Sequence, residues 1–273
     1  MTYRRPNPVL ERAFNHKDKK PFAPMPKETK TKVVDSRVNR LEGYKDKNDI
    51  APMTLEGTVQ KTGLLLSLLI FSAGALYVGP QSIIKIVISL LPLLVISTIA
   101  IAFTVAYKPF LASKLAIIYA IIEGLLLGSI SKLIEDSYSG ISSQALMLTF
   151  GVAAAMLMLY RSGRIKVTHN FRIAVISATL GVGLVYLVSF IGQFIGFNVP
   201  FIHDNTIAGI LISTFIVGLA AANLALDFDF IERGVSNKLP IEYEWVGAFG
   251  LVVTLAWLYI EILRLLSKLR SRG

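Results

Sequence analysis

Seven stretches of this chain are apolar for about the length needed to cross a bilayer, and this restricts its folds more than any other feature. They run over 62–79, 83–106, 113–134, 144–160, 171–197, 206–230 and 243–267. A span needs roughly 20 mostly apolar residues to traverse about 30 Å of hydrocarbon, so the first and fourth are short and the others sufficient. Turn and breaker residues separate them: Gly79-Pro80, Lys108-Pro109, Gly140, Ser162-Gly163, Asn198-Val199-Pro200 and Leu239-Pro240. The expected fold is an all-α integral membrane protein of about seven transmembrane helices. Of the 273 residues 53% are apolar and 17% charged, well below the quarter or so that is charged in soluble domains.

The charge is uneven. Residues 1–61 hold 14 of the 28 Lys and Arg and 8 of the 18 Asp and Glu. We therefore expect two parts, a basic and largely disordered cytoplasmic tail over 1–61 and a transmembrane domain over 62–273. About sixty polar residues precede the first apolar run, which is not the pattern of a cleaved secretory leader. The absence of cysteine excludes disulfides, thiolate nucleophiles and Cys-ligated metals. No nucleic-acid motif accompanies the basic tail, so anionic lipid headgroups rather than nucleic acid are its expected partner.

Lys and Arg gather in the tail, at Lys108 and Lys114, at Arg161, Arg164, Lys166 and Arg172, and at Arg233 and Lys238. In a seven-span arrangement these fall on one side, which the positive-inside rule makes the cytoplasm of a plasma (inner) membrane. The C-terminal Lys268, Arg270 and Arg272 then end outside, a conflict that a last segment re-entering instead of crossing would remove. Small-residue strips at Gly151–Ala155, Gly181-Val-Gly183, Gly192 with Gly196, and Gly218–Ala222 suit close helix packing in lipid.

Ionisable residues inside spans are costly and each marks a candidate functional site. Glu123 lies mid-way along the third span. Asp227 and Asp229 lie on the sixth, about 200° apart around the helix, so only one can face the bundle centre. Glu261 lies on the seventh, with Arg264 three residues on and close enough to pair with it. His16, His169 and His203 lack the spacing of a metal site, and no cofactor motif occurs. Gly-x-Gly-Asp and Gly-x-Ser-Gly phrases are missing, which argues against an intramembrane protease or other enzyme.

The phrases Leu226-Asp-Phe-Asp-Phe-Ile231, Leu258-Tyr-Ile-Glu-Ile-Leu-Arg-Leu-Leu266 and Glu123-Gly-Leu-Leu-Leu-Gly128, with Asn7-Pro-Val-Leu10 and Tyr243-Glu-Trp245, resemble the bacterial branch of the Bax inhibitor-like family. That resemblance implies six helices wrapped around a central C-terminal helix, and a slow, pH-sensitive calcium leak. It also implies that Asp227 and Glu261 form the carboxylate pair that senses protons. By their positions in the spans, Glu123, Asp229 and Arg264 are further candidates for pore or latch. Two carboxylates about 4 Å apart at an effective dielectric near 20 repel by roughly 4 kcal/mol, enough for such a pair to share one proton. Here the last-helix acid is Glu where Asp is usual, and the stretch between the two acids is longer. A non-conducting scaffold that modulates a protease or stress partner in the membrane is the competing expectation, and a proton-coupled transporter a third.

Overall fold

The computed structural model describes residues 51–196 and 206–272, so the tail before residue 51, with Asn7–Leu10 and His16, and the loop holding His203 lie outside the described residues. Among the described residues eight α-helices follow one another: α1 (Leu55–Tyr77), α2 (Gln81–Ser89), α3 (Leu91–Tyr107), α4 (Ala112–Glu135), α5 (Ile141–Arg161), α6 (His169–Ile195), α7 (Ile207–Ser236) and α8 (Tyr243–Arg270). A 3-10 turn, Pro109–Leu111, precedes α4.

The first helix begins seven residues before the apolar run that announces it. Thr54 is its N-cap and accepts from the Gly57 N–H at 3.0 Å, which satisfies one of the donors that every helix start leaves open. Lys61 therefore sits inside a helix, not in the tail.

The second apolar run is broken. α2 and α3 meet at Leu90 with a bend of 61°. Pro92, in the first turn of α3, has no N–H to give to the carbonyl of Ile88, and its ring would crowd that carbonyl in a continuous helix. Six helices are each long and apolar enough to cross a membrane, and the bent pair is the seventh candidate.

Packing decides whether that pair crosses. On α1, Leu69 and Ser72 meet Gly124 of α4, and Ala73 meets Gly128, so residue numbers rise together along both helices and the two are parallel. Near their ends Lys132 lies over the Tyr77 ring. A chain leaving the end of α1 must therefore travel back before starting α4, and α2 with α3 is that return pass.

α8 crosses fully, so the re-entrant alternative for the last segment is corrected. Its start lies beside the start of α1, where Met53 donates its N–H to the Leu239 carbonyl at 2.6 Å and Thr54 donates to Glu244 at 2.8 Å. Its last turn reaches the opposite end, where Arg270 donates to the Ser139 carbonyl at 2.6 Å. At about 1.5 Å per residue its 28 residues cover roughly 42 Å. Of the basic C-terminal residues, Lys268 is buried and donates to the Gly209 carbonyl and the Ser213 hydroxyl, while Arg270 and Arg272 stay exposed.

α8 is also the most enclosed helix, with 61% of its most apolar window buried against 11% for α6. It packs on α1, α4, α5 and α7, whereas α2 and α3 lean on α4, and α6 leans on α7. The central C-terminal helix is thus in place, with α6 the most peripheral of its neighbours.

In the small-residue strips the alanines do pack, Ala220 being fully buried and Ala153 packing against the same cluster, but the glycines need a correction. A side chain added at Gly151, Gly181, Gly183 or Gly218 would meet nothing within 4 Å, so these glycines admit no neighbouring backbone. Gly196 instead ends α6 in the left-handed conformation, φ 76°, which glycine adopts without penalty. The close approach occurs at Gly124 and Gly128, a G-x-x-x-G pair of the kind that lets two membrane helices touch.

Candidate functional site

Each singled-out acid has a different neighbourhood. Asp227 projects from α7 onto α8, where one carboxylate oxygen would lie 3.3 Å from a Cβ added at Gly250 and the Thr254 side chain faces it. Glycine at 250 makes room for the carboxyl. Its other oxygen, Oδ2, is buried and has no hydrogen-bond partner among the described residues. Buried polar atoms are rarely left unpaired, and each exception calls for an explanation.

Asp229 points the other way, as the helical rotation requires, and is clamped by two guanidiniums. Arg172 of α6 approaches Oδ2 at 2.5 Å, and Arg233, one turn on, donates from Nε to Oδ1 at 2.9 Å. Asp229 therefore ties α6 to α7 and is not a free acid.

Glu261 is enclosed, with its side chain 1% exposed, and Arg264 pairs with both its oxygens at 3.0 and 3.1 Å. Tyr186 of α6 donates to the same carboxylate at 2.9 Å, and Trp257 donates at 3.2 Å. Arg264 also donates to the Tyr186 oxygen at 2.5 Å and lies over its ring. The structure gives Glu261 three partners, and Asp227 is not among them. Thr254, the residue opposite Asp227, is seven residues before Glu261, about 10 Å along the axis at 1.5 Å per residue. The expected carboxylate pair is therefore not formed: the two acids sit at different heights of the central helix. The longer stretch between them, together with the α7 turn that places Asp227 beside Gly250, accounts for the mismatch.

Glu123 is buried in α4, with Tyr119 one turn earlier as its hydrogen-bond partner. The Tyr119 ring packs edge-on against Phe249 of α8 at 4.9 Å, next to Gly250. Glu123 and Asp227 thus flank the central helix within about a turn of the same height, on α4 and α7 respectively.

Two further polar features carry no sequence motif. Glu244, 2% exposed, accepts from the Thr54 N–H and hydroxyl and pairs with Lys61, which pins the starts of α1 and α8 together. Along α6, Arg172, Thr179 and Tyr186 recur every seven residues, one helical face, and each has a partner: Asp229, the Asn223 amide at 2.9 Å, and Glu261. The regular spacing was visible in the sequence. Its partners were not.

If the Glu261–Arg264 pair is structural, removing one member must cost more than removing both. Arg264→Met leaves a buried carboxylate unpaired and is expected to lower stability by about 2 kcal/mol, below the 3–5 of fully buried pairs because Arg264 is partly exposed. Glu261→Gln combined with Arg264→Met should recover most of that. Thermal unfolding of the purified variants in detergent measures the cycle, and strictly additive losses would show the pair to be uncoupled.

A multi-pass helical membrane protein that holds carboxylates against a central helix is the class this architecture defines. The family model described as Bax inhibitor 1 like matches residues 7–271, and the chain belongs to that family. No curated protein and no solved structure matches it.

Proposed function

We propose that this protein is a slow, pH-sensitive cation leak of the plasma (inner) membrane, with calcium as the permeant ion and its N-terminal tail in the cytoplasm. The observation that carries this reading is Asp227: a carboxyl enclosed by the bundle, bonded to Thr254 through one oxygen and with the other unpartnered among the described residues, is costly to keep. An acid placed to meet a passing cation or a proton accounts for that cost. Glu123, at a similar height across α8, is the second acid of the same path. Glu261 and Arg264 hold α6 against α8, and Asp229 with Arg172 holds α6 against α7. In this reading the acids bind cations and protons and catalyse no reaction, and the tail lies on anionic headgroups.

Orientation follows from charge. Arg161, Arg164, Lys166, Arg172, Arg233 and Lys238 lie at the end shared by the starts of α1 and α8, since Tyr160 bonds Glu232 and Arg233 reaches the Val167 carbonyl. Single cysteines at 164 and 139 test this, because the wild type has none. We expect a membrane-impermeant reagent added to intact cells to label 139 and spare 164, and the opposite result overturns the orientation. For conduction, protein reconstituted in calcium-loaded liposomes should release the ion faster than empty liposomes at one or more points of a pH series. Release equal to empty liposomes throughout would favour the scaffold that modulates a membrane partner.

A further inference from the structure

A cavity of about 480 Å³ lies between α1, α4, α5 and α8, apart from the acids described above. α1 and α5 flank it without packing along each other, while α4 and α8 close its inner wall. That wall is deep: Leu127 and Ala256 are 3% and 4% exposed. The lip is different. Ile70, Val78, Leu146 and Phe150 line the cavity and are also exposed large hydrophobics, so its mouth faces sideways, toward the surrounding hydrocarbon.

Its length is informative. Along α1 it extends from Leu66 to Tyr77, which at 1.5 Å per residue is about 16 Å, or about half of a roughly 30 Å hydrocarbon core. The cavity therefore has the depth of one leaflet, the one at the Tyr77 end. Polar groups gather mainly at that end: Ser131 shares a hydrogen bond with Tyr259 at 2.6 Å, and the Glu135 carboxylate accepts from the Ser142 N–H at 3.0 Å, while the deeper Thr149 hydroxyl donates to the Ala145 carbonyl of its own helix at 2.7 Å.

We infer that this cavity is a lipid-binding site that takes one acyl chain of a phospholipid from the leaflet at the Tyr77 end, with the ester and headgroup at the Ser131–Tyr259–Glu135 rim. Water is a poor occupant, because the deep part offers it only the Thr149 hydroxyl, already bonded to the Ala145 carbonyl, short of the two to four partners a buried water needs. Leaving the space empty forfeits the contacts of its whole lining. A chain already lying in the leaflet enters sideways without leaving hydrocarbon. The polar rim matches the interfacial level at which a lipid carries its own polar atoms.

The test uses the full chain in nanodiscs whose phosphatidylcholine carries a photoactivatable diazirine on one acyl chain, with adducts located by peptide mass spectrometry. We expect adducts on the inner wall at Leu127, Leu255 or Ala256 as well as on the lipid-facing Phe103. Gly74 lines the cavity, and a Cβ added there meets nothing within 4 Å, so Gly74→Leu starts in open space and occupies part of the cavity. It should reduce inner-wall adducts at least fivefold and leave Phe103 unchanged. Leu146→Trp at the lip is the second variant, should the first fail to fold, with the same expectation. Inner-wall adducts that are missing, or that persist undiminished in a folded variant, overturn the proposal. So does rapid modification of Ala256→Cys by a water-soluble maleimide, which would make the cavity an aqueous vestibule.

Discussion

Asp227→Asn is expected to flatten the pH profile of calcium release from reconstituted liposomes, whereas Glu261→Gln is expected to retain it. The two acids differ in what a change of charge would do. Glu261 is held by Arg264 at 3.0 Å with Tyr186 and Trp257 around it, so its charge is balanced in place. Asp227 faces Gly250 and Thr254 on the central helix, and one of its oxygens has no partner among the described residues. Gaining or losing a proton there changes the charge of an enclosed site with no counter-ion beside it. A bias of only 1.4 kcal/mol between two arrangements shifts their ratio about tenfold. We therefore expect release by wild type to vary by about tenfold or more between acid and neutral pH, and by less than about twofold in Asp227→Asn. Glu123→Leu, across the helix, should lower release at every pH with its pH dependence kept. A wild-type profile in Asp227→Asn, or a flat one in Glu261→Gln, would move the sensor from the first acid to the second.

Gly124→Ala should be the most damaging single-methyl change in the bundle. A Cβ at this position would lie 1.9 Å from the Ser72 hydroxyl oxygen and 2.4 Å from the Leu69 carbonyl oxygen, and one at Gly128 would lie 2.7 Å from the Ala73 carbonyl oxygen. The hydroxyl can rotate away, but the carbonyls are backbone and move only if α1 shifts off α4. Overpacking of this sort costs about 1–3 kcal/mol and occasionally more. The loss at Gly124 belongs at the upper end, about 3 kcal/mol, because two neighbours are displaced at once. Gly181→Ala and Gly218→Ala open onto free space and should be neutral or gain up to about 1 kcal/mol, the ordinary benefit of alanine in a helix. Unfolding curves in one detergent compare all three. Equal losses would mean that the α1–α4 contact is not the tight one.

The helices long enough to cross were legible from the apolar runs. Run length against membrane thickness fixes where a helix must cross, and that needs no tertiary contact. The acids Glu123, Asp227, Asp229 and Glu261 were legible too, because a carboxyl among apolar neighbours stands out whatever its partners. The bend at Leu90 could have been read from Pro92 and was not.

The tertiary structure decided the partners. Whether Glu261 meets Asp227 or Arg264 depends on the heights at which α7 and α8 lie side by side, and a few residues of loop between them shift that height by several ångströms. Periodicity records which residues share a helix face but carries no information on the offset between two helices. The same limit separates Gly124 from Gly181. Both are helical glycines among apolar residues, and only the approach of α1 makes one of them irreplaceable. Glu244 shows it a third time: beside a tryptophan near a helix start it reads as an exposed surface acid, and the return of α8 to the start of α1 buries it against Thr54 and Lys61.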